Sequence, residues 1–96
     1  MPLVISANIL AKLAAKVPPV SVEEIEQCFA TRDGIYLIDQ REEHASDPPT
    51  RWFLAPTYFG RILKIVFIPR GKDIVIRTAY DPNAQERQIY TDFGMS

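Results

Sequence analysis

The chain has 96 residues, of which 47% are hydrophobic and 24% charged, and its formal net charge is −1. This composition excludes a disordered chain, and the length predicts one domain over residues 1–96. The single cysteine excludes an intramolecular disulfide, and no apolar run approaches the ~20 residues of a membrane span. Because the amino terminus also lacks the basic and apolar segments of a secretory signal, we expect a cytoplasmic protein that does not enter membranes.

Two helices are predicted in the amino-terminal third. Apolar residues at helical spacing predict the first helix over residues 6–16, and the prolines of "VPPV" at 17–20 end it. The second helix begins at Ser21, which forms a capping box with Glu24, and its apolar face carries Val22, Ile25, Cys28 and Phe29. No His or Lys beside Cys28 lowers its pKa, so a buried thiol is favoured over a reactive one.

Four strands are predicted next. "RDG" at 32–34 is a turn signal, "IYLIDQ" follows it as the first strand, and "REEHASDPPT" is a polar surface loop. The other three strands are "RWFLAPTY", which is bent or at an edge near Pro56, then "RILKIVFI" after Gly60, and "IVIRTAY" after "PRGKD". Their short connections predict an antiparallel meander.

A final helix is predicted after the last strand. Asn83 is its expected cap and Glu86 the reciprocal partner of that cap. The order of elements predicts an α+β domain, with two amino-terminal helices and a carboxy-terminal helix packed on one face of a four-stranded antiparallel sheet.

The charge is divided unevenly along the chain. Residues 1–50 carry four Lys or Arg against eight Asp or Glu, whereas residues 51–96 carry seven against four. The basic half can face an anion such as RNA phosphate, or it can be ordinary solvated surface. One His, one Cys and four isolated glycines supply neither a metal site nor a phosphate loop, so we expect no cofactor.

Cations and one phenol mark the predicted sheet as a candidate site. They are Arg51, Arg61, Lys64, Arg77 and Tyr80. Since side chains alternate between faces, Lys64 lies on the opposite face from Arg61, and only part of this set can converge. A convergent subset suits metal-independent RNA cleavage, in which cations stabilise the charge that develops as a 2′-hydroxyl attacks phosphorus.

Four residues are candidates for proton transfer in such a reaction. They are Glu86, Tyr80, Tyr90 and His44. Glu86 has an alternative role as a capping residue, and Tyr90 has one as a core anchor. His44 stands beside Glu42 and Glu43, which favour its protonated form.

The order of elements, together with "RWF", "GRILKIVF", "IRTA" and "ERQIY", resembles the BrnT-like toxins over nearly the whole chain. Those proteins are small ribonucleases of bacterial toxin–antitoxin pairs, related in fold to the RelE toxins. The resemblance implicates Arg51, Arg61, Glu86, Arg87 and Tyr90 in RNA binding or cleavage. It also implies an antitoxin partner. RNA and a second copy of the chain are further candidate partners.

The carboxy-terminal strand departs from that resemblance at one position. It ends in Thr78, Ala79 and Tyr80, where those toxins usually have Ser-Ala-Arg. The stretches "REEH", "PPTRWF" and "IRTAYDPN" also resemble small bacterial proteins labelled ADP-ribosyl-(dinitrogen reductase) hydrolase. The alternatives are therefore a small hydrolase, or a non-catalytic domain of the same fold that binds a protein through its sheet or through exposed aromatic residues such as Trp52 and Tyr58.

Overall fold

The computed structural model describes residues 2–38 and 49–95, which form a five-stranded mixed sheet with helices on both faces. The strands are β1 (Leu3–Val4), β2 (Leu37–Ile38), β3 (Arg51–Pro56), β4 (Ile62–Arg70) and β5 (Asp73–Tyr80). The helices are α1 (Ala7–Ala14), α2 (Val22–Thr31) and α3 (Ala84–Ile89), and α3 continues into a π-helical turn over Tyr90–Gly94. None of the helices in the described residues is long and apolar enough to cross a bilayer.

The helices begin where short polar side chains can accept a backbone N–H. In α2, Ser21 Oγ accepts from Glu24 N at 3.1 Å, and Glu24 Oε1 accepts from Ser21 N at 3.0 Å. In α3, Asn83 and Glu86 make the same reciprocal pair, at 2.8 and 2.9 Å. These hydrogen bonds confirm both predicted capping boxes. Such boxes can be predicted from sequence because they depend only on residues three positions apart.

The predicted antiparallel meander is present as β2–β3–β4–β5, but the sheet has a fifth strand. Leu3 and Val4 pair in parallel with Ile74 and Val75, so the order across the sheet is β1-β5-β4-β3-β2. The prediction of four antiparallel strands was wrong in this respect. A two-residue strand is too short to show an alternating pattern, and only its partner identifies it.

The sheet is covered on both faces rather than on one. Helix α1 packs against β5 and α2 against β3 and β4, and the core between them includes Phe53, Ile65 and Phe67. On the opposite face, Tyr90 contacts Trp52 with ring centroids 5.7 Å apart. The expectation that all helices lie on one face was therefore wrong, and β4 is buried continuously from Leu63 to Ile68.

Two predictions for single side chains have opposite outcomes. Cys28 is buried, its Sγ lies 3.3 Å from Ala55 O, and burial raises the pKa of its thiol to about 12, so the predicted inert thiol is confirmed. Trp52 was expected to be an exposed aromatic, but it is only 7% exposed. The carboxy-terminal helix covers the face of β3 on which Trp52 lies.

Candidate functional site

Lys64, Tyr80 and Glu86 converge on the face of the sheet that α3 covers. Lys64 Nζ and Tyr80 OH each donate to Glu86 Oε2 at 2.7 Å. The Lys64 ammonium also lies 4.5 Å from the centre of the Trp52 ring. We call Lys64, Tyr80 and Glu86 the Lys–Tyr–Glu cluster.

Strand register and helix capping place these three groups together. Lys64 of β4 and Tyr80 of β5 are directly paired, so their side chains leave the same face of the sheet as near neighbours. Glu86 is at the third position of α3, where Asn83 N binds its other carboxylate oxygen. The cap therefore orients the carboxylate toward the sheet, and the short connection between β5 and α3 keeps it close to Tyr80.

The environment keeps Glu86 ionised and Tyr80 protonated. Burial raises the pKa of Glu86, but hydrogen bonds from Lys64, the Asn83 backbone and Tyr80 outweigh burial, so the pKa lies below its ordinary value. Burial, followed by the hydrogen bond to the Glu86 carboxylate, raises the pKa of Tyr80 despite the opposing effect of Lys64. At neutral pH the cluster thus contains a carboxylate proton acceptor and a phenol proton donor.

Arg61 forms a second cluster, which ties the α1–α2 linker to the sheet. Its Nε donates to Asp81 Oδ1 at 3.0 Å, its Nη2 lies 2.8 Å from the same oxygen, and its Nη1 lies 3.1 Å from Glu24 Oε2. The guanidinium also donates to the carbonyl oxygens of Pro18 and Pro19, at 3.0 and 2.7 Å. All three nitrogens of the Arg61 guanidinium therefore donate to protein oxygens.

An open cleft of about 270 Å³ joins the two clusters. Its lining residues come from the α1–α2 linker and from the ends of β4 and β5, and they are Lys16, Val17, Pro18, Arg61, Tyr80 and Asp81. The Lys16 ammonium lies 5.5 Å from the centre of the Tyr80 ring. The volume is near the ~300 Å³ lower end for small-molecule sites, which suits a phosphate group or a small part of a nucleotide.

The other predicted site residues lie outside this arrangement. Arg77 is the exposed extra residue of a bulge in β5, where Val66 pairs with Thr78 but Phe67 pairs with Ile76.

Three further predicted residues have separate surroundings. Arg87 is exposed on α3, and Arg51 begins β3 opposite Phe67, with no hydrogen-bond partner for its Nε within the described part of the chain. Tyr90 is buried against Trp52, and its hydroxyl donates to Ile35 O at 2.8 Å, as expected of a core anchor. His44 lies outside the described residues.

Sequence reasoning missed Lys16, Glu24 and Asp81 as parts of this region. Lys16 was recognisable only as a polar residue off the apolar stripe of α1, and Glu24 only as a capping residue. Their link to Arg61 and Tyr80 depends on contacts between residues far apart in the chain, for which the sequence carries no local signal.

Within residues 2–38 and 49–95, no three His, Cys, Asp or Glu side chains are grouped so that they could hold a metal ion. No protein-family model, curated protein or solved structure matches this chain.

Proposed function

We propose that the protein is a metal-independent endoribonuclease of the BrnT-like toxin type, neutralised by an antitoxin, and that RNA is cleaved at the cleft beside the Lys–Tyr–Glu cluster. The observation that carries this proposal is the convergence of an ammonium and a phenol on one carboxylate, each at 2.7 Å, with the phenol, Tyr80, lining an open cleft. These are the acceptor, donor and cation that transphosphorylation of RNA requires.

The roles in the reaction follow from the protonation states of the cluster. Glu86 accepts the proton of a ribose 2′-hydroxyl, whose oxygen forms a bond to the adjacent phosphorus. The bond from phosphorus to the 5′-oxygen breaks, and Tyr80 donates a proton to that oxygen. The products are a 2′,3′-cyclic phosphate and a free 5′-hydroxyl, and Lys64 stabilises the negative charge on the phosphoryl oxygens during the transfer.

Glu86 has room for this role although it is already hydrogen bonded. An ionised carboxylate offers about four acceptor positions, and Lys64, Tyr80 and the Asn83 backbone occupy three of them. Its lowered pKa makes it a weak base, so we expect slow turnover. Lys16 lines the cleft without an ion pair to a described carboxylate, which leaves its charge available to a phosphate.

RNA cleavage by the purified protein tests this proposal. A fluorescent single-stranded RNA in EDTA should be cut to a 2′,3′-cyclic phosphate, and a 2′-deoxy substitution at the cleaved nucleotide should prevent the cut. Glu86→Gln should lower the rate by about 100-fold, the low end for a general base. Gln also serves in a capping box, so α3 keeps its start.

The control is Glu23→Gln, which removes an exposed carboxylate of α2 that is not part of the cleft. It should leave the rate unchanged. Absence of cleavage, or equal rates for Glu86→Gln and the parent protein, would refute the proposal. Growth arrest on expression in bacteria should likewise require Glu86; Arg61→Ala is a poorer choice for that assay because Arg61 holds the linker in place.

A second candidate function is a non-catalytic protein-binding domain. The contacts of Arg61 favour it, because this cation already binds two carboxylates and two carbonyl oxygens of the protein itself rather than facing a phosphate. This candidate predicts no RNA cleavage and a stable complex with a partner protein, and recovery of no partner would count against it.

A further inference from the structure

Five apolar residues are exposed together at the end of the sheet where Arg61 lies. Val17 is 98% exposed, Tyr58 66% and Phe59 95%, and Pro18 and Pro19 of the same linker are also exposed. Arg61 joins the two parts, since it directly follows the turn that contains Tyr58 and Phe59 and donates to the carbonyl oxygens of both prolines. We call Val17, Pro18, Pro19, Tyr58 and Phe59 the turn surface.

Hydrogen bonds hold the turn in a defined conformation. Thr57 Oγ1 accepts from the backbone N–H groups of Phe59 and Arg61, at 3.3 and 3.2 Å, and Tyr58 N donates to Gln27 Oε1 at 2.9 Å. Gly60 has a φ of +87°, a conformation that favours glycine. The two aromatic rings therefore project from a fixed backbone, which lowers the entropy cost of using them as binding anchors.

The charges beside the Tyr58 and Phe59 part of the turn surface are acidic, whereas Lys16 precedes Val17 at its other end. Helix α2, which holds the turn through Gln27, also exposes Glu23 and Glu26, and neither is ion-paired within the described part of the chain. Arg61 offers no compensating charge, because Glu24 and Asp81 neutralise it. An RNA backbone would be repelled by Glu23 and Glu26, whereas Lys or Arg would be attracted.

We propose that the turn surface binds a partner polypeptide through an apolar side chain flanked by Lys or Arg. The apolar side chain packs against Phe59 and Tyr58, and the flanking cations face Glu23 and Glu26. Val17 and Pro18 also line the cleft, so the two sites adjoin, but this interaction does not depend on the proposed nuclease reaction.

Fluorescence anisotropy with two synthetic peptides tests the proposal. The first is a short fluorescein-labelled peptide of Leu, Trp and Lys, and the second has Glu in place of every Lys. The first should bind the full chain and the second should not. Phe59→Ser should weaken binding about tenfold, as expected for loss of an aromatic anchor, and Glu23→Lys should weaken it severalfold.

Phe93→Ser is the matched control, because Phe93 is 65% exposed but lies in the π-helical turn at the carboxy-terminal end of the described chain. This variant should bind like the parent, and circular dichroism should show all variants folded. Equal binding of both peptides, or equal losses in Phe59→Ser and Phe93→Ser, would overturn the proposal.

Two further outcomes would also overturn it in favour of another occupant. One is dimerisation in analytical ultracentrifugation that Phe59→Ser abolishes, which would assign the turn surface to a second copy of the chain. The other is tight binding of an oligouridine RNA that Phe59→Ser abolishes, which would assign the surface to stacked bases.

Discussion

Breaking the ion pair between Lys64 and Glu86 should destabilise the protein strongly, and removing both charges should recover much of the loss. The two side chains are only 7% and 16% exposed, so Lys64→Met leaves a largely desolvated carboxylate without its cation. Breaking a buried pair costs roughly 3 to 5 kcal/mol. Glu86 keeps its hydrogen bonds from Tyr80 and Asn83, so we expect Lys64→Met to lower the free energy of unfolding by about 2 to 3 kcal/mol.

The double variant Lys64→Met/Glu86→Gln has no unpaired charge. The double variant should therefore lose less stability than Lys64→Met and Glu86→Gln lose in total. The difference, the coupling energy, should be about 1.5 to 2 kcal/mol. Urea unfolding measures all four free energies, and the only tryptophan, Trp52, reports on the region directly because its ring contacts Lys64.

Lys72→Met is the control, since Lys72 is exposed between β4 and β5 and should change stability by less than about 0.5 kcal/mol. A coupling energy below about 0.5 kcal/mol would refute the reasoning, because it would mean that the two charges do not interact in the folded protein.

Three other predictions concern the same scaffold. The free energy of unfolding should fall as pH drops below about 4.5, because the unfolded chain then binds protons at Glu24 and Glu86, whose lowered pKa values keep them ionised in the folded protein; Glu86→Gln should flatten this dependence in urea titrations, and an unchanged slope would contradict it. Arg61→Ala should cost about 2 to 3 kcal/mol, and Arg61→Lys should recover little because one ammonium cannot bridge four partners; full recovery by Lys would contradict this. Gly94→Ala should lower stability by about 1 to 3 kcal/mol, since a Cβ there would lie 2.4 Å from the Tyr90 ring, whereas Met95→Ala next to it should have less effect; equal thermal melts would contradict this.

Local features of the fold were predictable from the sequence, because their causes are local. Both capping boxes depend on pairs three residues apart, Ser21 with Glu24 and Asn83 with Glu86, and both are present. Short turns predicted the antiparallel order of the long strands in the same way. The strand β1 escaped prediction because its two residues gain their structure from β5, which is about 70 positions away in the chain.

The composition of the site was predictable in part, but its geometry was not. Lys64, Tyr80 and Glu86 were all named as candidates, since each is a polar group at a strand or helix end or within an apolar strand. Their convergence depends on α3 covering the second face of the sheet, which also buries Trp52. No pattern within β3 or β4 distinguishes a face covered by a distant helix from one exposed to solvent.

The two clusters differ in what they leave available for a ligand. Arg61 is bound by two carboxylates and two carbonyl oxygens, so its contribution to the cleft is to hold Val17 and Pro18 in the wall. Lys64 is paired but touches a carboxylate that retains one acceptor position, and Lys16 makes no ion pair with a described carboxylate. A phosphate in this cleft would therefore be met first by Lys16 and would then lie beside Tyr80. The proposed RNA cleavage consequently depends on the junction between β5 and α3, where Tyr80 and Glu86 are six residues apart and one oxygen of Glu86 accepts from both Tyr80 and Lys64.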